Sequence, residues 1–231
     1  MCMKTRFAFL FLLMLLSACT KESDGPDMDY PASFKLRRFD QVQPVRMFTR
    51  NGEVKDADFI KNHDLTRRMQ MHYDLEATAP DDASDPDITF LSRSEAEMNG
   101  GSTRYEVKKQ GDALLLTSRE ERSSGYNRNG EFYVNLMIGL SKYKPLMYDK
   151  QALPPALYTG FDYTYKTKDQ LVVSVAGQEL LFHRLAYAHQ NQYNGRSMVI
   201  NNQFDPAGIS LLRDGDTLVV QEFAIVGVPL K

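Results

Sequence analysis

Apolar and polar residues alternate with a period of two along most of this chain. Phe34 and Leu36 alternate with Lys35 and Arg37, Val45 and Met47 flank Arg46, and Ile88, Phe90, Tyr105 and Val107 repeat the pattern. Successive side chains of a strand point to opposite faces, so each run reads as a strand with one buried face. Leu114-Leu115-Leu116 follows a turn at Gly111-Asp112, and Asn51-Gly52 marks a hairpin. Phe132, Val134, Leu136 and Ile138, entered through Asn129-Gly130, form the longest strict alternation and predict a further strand. Others are predicted at Phe161-Tyr163-Tyr165, Leu171 to Val175, Leu180 to Ala188 and Met198 to Ile200. Ile209 to Leu212 and Leu218 to Val220, joined by Arg213-Asp214-Gly215-Asp216, predict a last hairpin.

Many short strands at regular spacing predict a mainly β fold. An antiparallel meander closed into a lipocalin-like barrel and a two-layer sandwich both fit. One stretch breaks the rhythm: Asp56 can cap a helix over about 56–70, with Phe59 and Ile60 on one face. Residues 76–86 read as a loop rich in acid and proline. Prolines at 145, 154 and 155 interrupt the strands, but a single domain over 33–231 is the simpler division.

The N-terminus is patterned differently. Lys4 and Arg6 precede an unbroken apolar run from Phe7 to Leu16. As a helix that run is about 15 Å long, half of a hydrocarbon core of roughly 30 Å, so it suits a signal peptide and not a spanning helix. Leu16-Ser17-Ala18-Cys19 then resembles the lipobox of bacterial lipoproteins. The resemblance implies cleavage before Cys19 and acylation of its sulfur and amine, hence a membrane partner reached through lipid. The alternative is a plain secreted chain beginning at a cysteine. Thr20 stands where aspartate favours inner-membrane retention in many such proteins, so the resemblance points to the outer membrane. Lys21-Glu22-Ser23-Asp24 resembles a surface-export signal, which leaves the periplasmic face and the cell surface both open. Residues 1–18 are thus expected to be the signal peptide, 19–32 a polar tether containing Gly25, Pro26 and Pro31, and 33–231 the folded body.

Composition adds constraints. Without Lys4 and Arg6 the 28 basic residues become 26 against 30 acidic, a mild negative balance that gives no electrostatic reason to expect nucleic acid. Cys2 leaves with the signal and Cys19 is consumed by lipid, so the body is expected to hold by packing without a disulfide.

No chemical motif stands out. The histidines are His63, His72, His183 and His189. On one strand the last two would lie about 20 Å apart, too far for a shared metal, so neither a metal nor a cofactor is expected. Asp81, Asp82, Asp85 and Asp87 lack the glycine turn and distal glutamate of a calcium loop. No serine lies in Gly-x-Ser-x-Gly, Ser123-Ser124-Gly125 reads as a turn, and Glu120-Glu121 would face opposite ways on a strand. The enrichment that stands out is aromatic: Tyr158, Phe161, Tyr163, Tyr165, Tyr187 and Tyr193, near several asparagines and glutamines. Such rings can stack on a sugar or peptide, though a core role is simpler for rings sharing a strand face.

Three classes of function follow. A ligand-binding or interaction module, for a small molecule, glycan or partner protein, should use Tyr163, Tyr165, Tyr187 and Tyr193. A structural or assembly subunit of an envelope complex should expose an apolar patch or a free strand edge. A hydrolase should show a Ser/His contact or converging carboxylates. A lipid-anchored binding module without enzyme activity is the expectation.

Overall fold

The computed structural model describes residues 28–40, 43–60, 62, 87–127, 130–154, 160–191 and 195–230. Its strands are β1 (Ala32–Asp40), β2 (Arg46–Thr49), β3 (Gly52–Val54), β4 (Asp87–Ser92), β5 (Glu95–Met98), β6 (Thr103–Gln110) and β7 (Ala113–Ser118). They continue with β8 (Arg122–Tyr126), β9 (Met147–Ala152), β10 (Tyr163–Thr167), β11 (Gln170–Ala176), β12 (Glu179–Gln190), β13 (Gly195–Ile200) and β14 (Thr217–Pro229). Helix α1 spans Gly130–Leu140, and a 3-10 helix spans Pro206–Leu211.

Eight strands close an antiparallel barrel in the order β12-β11-β7-β6-β5-β4-β1-β14, with β14 returning to β12. The alternation predicted from sequence fills it. Phe34, Leu36, Ile88, Phe90, Tyr105, Val107, Leu114, Leu116, Leu171, Val173, Leu180 and Phe182 all point inward and are buried. Eight strands leave an interior just wide enough for side chains, and here they occupy it. Phe182 finds room because position 227 is glycine: a Cβ there would sit 3.0 Å from the Phe182 ring. Among the described residues the barrel interior is thus a packed core.

β12 and β14, at 12 and 13 residues, outrun the barrel. Their far halves pair with each other and with β13 and β2, which carries β3, to form an open sheet. One face of that sheet buries Leu185, Tyr187, Leu218 and Val220 against Leu136 and Leu140 of α1 and against Phe204 and Leu212. The other buries Ala186, Ala188 and Val219 against Met47, Ile60 and Phe223. Ile60 belongs to a helical turn at 57–60 that begins as the sequence predicts, with the Phe59 N–H donating to Asp56 Oδ1 at 2.9 Å. Position 62 is also helical, whereas residues 61 and 63–70 of that predicted helix, His72 and the acidic loop 76–86 lie outside the described residues, as does the N-terminal segment with Cys19.

Three predicted elements are corrected. The alternation at Phe132 to Ile138 is a helix: apolar residues fill nearly every position, so a period of 3.6 fits as well as one of 2. Two things decide for the helix. Leu136 and Leu140 stack one turn apart on a buried face, and the Gly130 N–H donates to Asn127 Oδ1 at 2.8 Å as an N-cap. Ile209 to Leu211 belong to the 3-10 helix and not to a hairpin strand, because Asp205 caps it and Pro206 opens it. Ser123-Ser124-Gly125 is strand β8, not a turn.

Candidate functional site: an aromatic platform on a small sheet

Between β7 and β11 the chain leaves the barrel and builds a second, three-stranded sheet in the order β8-β10-β9. The neck of this excursion is tied shut. The Ser118 N–H donates to Asp169 O at 2.8 Å and the Asp169 N–H donates to Ser118 Oγ at 2.9 Å. Arg122 adds an ion pair to Asp169 at 2.9 Å.

Antiparallel register puts Tyr163 opposite Tyr126 and Tyr165 opposite Ser124, so these side chains share a face. The Tyr126 ring stacks on Tyr163 with centroids 5.4 Å apart and meets Tyr165 at 5.5 Å. A register shift between Thr164 and Lys166 makes β9 bulge, and Asp149 takes a left-handed φ of 54° there. A bulge re-aims side chains. Lys150 lies in it, with Nζ 4.5 Å from the centre of the Tyr163 ring and 5.5 Å from that of Tyr126. The position suits a cation over aromatic faces. Glu131, in the first turn of α1, holds the ammonium at 2.5 Å. That bond first, and the Tyr126 hydroxyl second, push the lysine further up, so Lys150 stays charged.

Phe161 behaves differently from the prediction. A Cβ on Gly125 would lie 2.7 Å from its ring, so Phe161 covers the face of β8 opposite Tyr126, while remaining 48% exposed. On that side the Tyr148 hydroxyl donates to Glu121, which pushes the phenol up to about 12 and the carboxyl down. Lys166 lies 3.6 Å from both Glu121 and Asp149.

The four predicted tyrosines thus separate. Tyr163 and Tyr165 come together, half-buried, with Tyr126 and Lys150 as partners. Tyr187 does not join them: it is 1% exposed beneath α1, its hydroxyl donating to Met198 Sδ at 3.2 Å. Tyr193 lies outside the described residues. Lys150 carried no sequence signal, because only the bulge brings it over the rings.

The two described histidines are apart, as their spacing requires. His189 is buried between α1 and the open sheet, its ring 5.0 Å from Phe132 and 5.5 Å from Tyr133. Its Nε2 lies 3.1 Å from Asp216 Oδ2 but off line, so neither ring nitrogen makes a hydrogen bond to a described residue. His183 Nε2 and Ser174 Oγ meet at 2.8 Å, a contact that a hydrolase would need. Burial and then Lys142 hold that imidazole below its usual range, so it is neutral at pH 7. Asp112 acts on it only through space, while its own Oδ1 accepts from the Tyr143 hydroxyl at 3.2 Å. Ser174 sits within the β11–β12 ladder, where backbone N–H groups run along the sheet and not toward a reacting oxygen. Among the described residues no three His, Cys, Asp or Glu side chains converge for a metal ion.

No protein-family model matches this chain, and no curated protein or solved structure matches it either.

Proposed function

We propose that the chain is a lipid-anchored binding module of the bacterial envelope. In this reading acylated Cys19 tethers it to the outer membrane, and the small sheet presents its contact surface for a glycan, small molecule or partner protein. The observation that carries the binding role is the pair Tyr163 and Tyr165 beside Lys150, backed by the buried ring of Tyr126, an aromatic surface with a fixed cation held on an excursion from a barrel packed with side chains. Flat rings pack against the apolar face of a sugar or peptide, and an ammonium beside them donates to a carboxylate or hydroxyl. No catalytic step is assigned to the surface.

The test titrates the purified body with defined oligosaccharides and monitors tyrosine fluorescence, which is usable because the chain has no tryptophan. Saturable binding weakened at least about tenfold by Tyr163→Ala is expected, the loss of one stacking contact. Binding that ignores Tyr163→Ala and Lys150→Ala would reject the platform. Phe161 at 48% and Leu146 at 44% exposure favour a protein contact as the second reading. A photo-crosslinker at position 161 should then yield one defined adduct in whole cells.

A further inference from the structure

Away from the tyrosine platform, the long strands change neighbours. β12 pairs with β11 up to Phe182 and with β13 from Leu185, while β14 pairs with β2 up to Val220 and with β1 from Ala224. At this fork β12 and β14 run side by side, and a cleft of about 190 Å³ opens over them. Its strand residues are His183, Arg184, Glu222 and Phe223, and its walls come from Asn202, Gln203 and Gln43.

Alternation places His183 and Glu222 on the same face, since His183 opposes Ala224 and Glu222 opposes Leu185. The walls are fixed. Asn202 is spent on Tyr143, accepting from its N–H at 3.0 Å and donating to its carbonyl at 2.7 Å. Gln203 Oε1 accepts from Lys142 Nζ at 2.9 Å, which sets the amide and leaves its Nε2 without a bond to any described residue. Glu222 Oε1 accepts from the Phe204 N–H at 2.8 Å, which leaves Oε2 similarly uncommitted. The Ser174 contact occupies His183 Nε2, and Nδ1 is the remaining valence of a neutral ring.

What these groups have left defines a ligand. The NH2 group of Gln203, one carboxylate oxygen of Glu222 and one imidazole nitrogen match a molecule whose hydroxyls donate and accept side by side. Arg184 opposes Phe223 and so turns to the other face of the pair, away from His183 and Glu222. On the cleft face an anion would meet Glu222, and a cation would meet Lys142 behind Gln203. The volume equals about six waters at roughly 30 Å³ each, and lies below the range of drug-sized sites. A single hexose ring carries that many oxygens.

We propose that the fork cleft binds one neutral polyhydroxylated unit, a single sugar residue, with Glu222 accepting from one hydroxyl and Gln203 donating to its neighbour. The site is separate from the tyrosine platform and does not rest on it.

The test is an NMR titration of the isotope-labelled body with glucose, galactose and N-acetylglucosamine, each into the millimolar range, with acetate and phosphate as anionic probes. Saturable shifts at Gln203 and His183 with at least one sugar are expected. Glu222→Gln keeps an oxygen for the Phe204 N–H, so it should fold normally yet weaken sugar binding by about tenfold or more, the loss of a charge-assisted acceptor. Tyr163→Ala should leave these shifts unchanged. The proposal is overturned if no sugar shifts these residues, if Glu222→Gln binds like the parent, or if acetate or phosphate binds as well as the sugars. It is also overturned if Tyr163→Ala abolishes the binding, an outcome that would leave the platform reading standing.

Discussion

Gly208 offers the sharpest test of how α1 is seated. It faces Gly139 across the contact between the 3-10 helix and α1, and neither glycine has a left-handed φ, so the requirement is steric. A Cβ on residue 208 would lie 2.6 Å from Gly139 C, 2.7 Å from Leu140 N and 2.8 Å from Gly139 O. All three are backbone atoms and cannot rotate aside. Restoring ordinary contact requires the two helices to part by about 0.8 Å, a gap that forfeits a quarter to a half of each dispersion contact it opens. The buried residues that meet there are Leu136, Leu140, Phe204 and Leu212. Overpacking of this kind costs about 3 kcal/mol. For a body of this size that is roughly 6–12 °C in Tm. Gly139→Ala is the control: its Cβ would strike Leu211 Cδ1 at 2.5 Å, the end of a side chain that is 40% exposed. That leucine can turn away, and alanine gains about 1 kcal/mol of helix propensity, so the change should be nearly neutral. Thermal and urea unfolding followed by circular dichroism measure both. If Gly208→Ala melts within about 2 °C of the parent, or costs less than Gly139→Ala, the close seating is wrong.

Replacing Cys19 with serine should move the protein from the membrane to the soluble fraction, and continued co-sedimentation with membranes would reject the lipobox reading. The pKa of His183 is lowered by burial, so on acidification the unfolded chain takes up its proton first. Stability should therefore be constant above about pH 6.5 and fall below it, and His183→Gln should flatten that slope in melts at pH 5 and 7.5. Buried Asp216 accepts at Oδ2 from the N–H of exposed Arg213 at 2.8 Å, so Asp216→Ala should cost about 1–3 kcal/mol by urea unfolding, the loss of a hydrogen bond to a charged group. Burial also depresses the Arg184 guanidinium, and among the described residues no carboxylate pairs with it. Arg184→Met should accordingly raise Tm, and a lowered Tm would show that the charge is compensated.

The barrel was legible in the sequence because its inward set repeats with period two. Tyr105 and Val107 or Ile88 and Phe90 need only their own strand to announce a buried face. The helix α1 was not, since a segment apolar at nearly every position carries no phase, and Asn127, which caps it, reads equally as a turn residue. The site divided along the same line. That Tyr163 and Tyr165 share a face follows from their spacing. Their pairing with Tyr126 does not, because a partner strand 37 residues away leaves no local mark on either sequence. Lys150 depended on a bulge at Asp149, a backbone choice that composition does not dictate. Tyr187 failed as a surface residue because its strand is covered on both faces, and alternation cannot tell a solvent face from one under a helix.

The length of β12 explains why polar groups gather where they do. A strand of 12 residues spans about 40 Å, longer than the barrel wall it enters, so its neighbours must change partway along. Backbone groups at such a change lose their ladder partners and must be satisfied otherwise. The structure does this locally: the Gln43 N–H donates to Glu222 O at 2.8 Å, and Gln221 Nε2 donates to Gln43 O at 3.4 Å. The Phe204 N–H uses the Glu222 side chain. Polarity at the fork is thus imposed first by the fold, and any ligand there uses valences that backbone repair leaves over. That ordering separates two substitutions at one position. Glu222→Ala removes both the backbone acceptor and the free oxygen, so it confounds folding with binding. Glu222→Gln keeps the first and neutralises the second, and only a difference seen with glutamine can be assigned to the cleft.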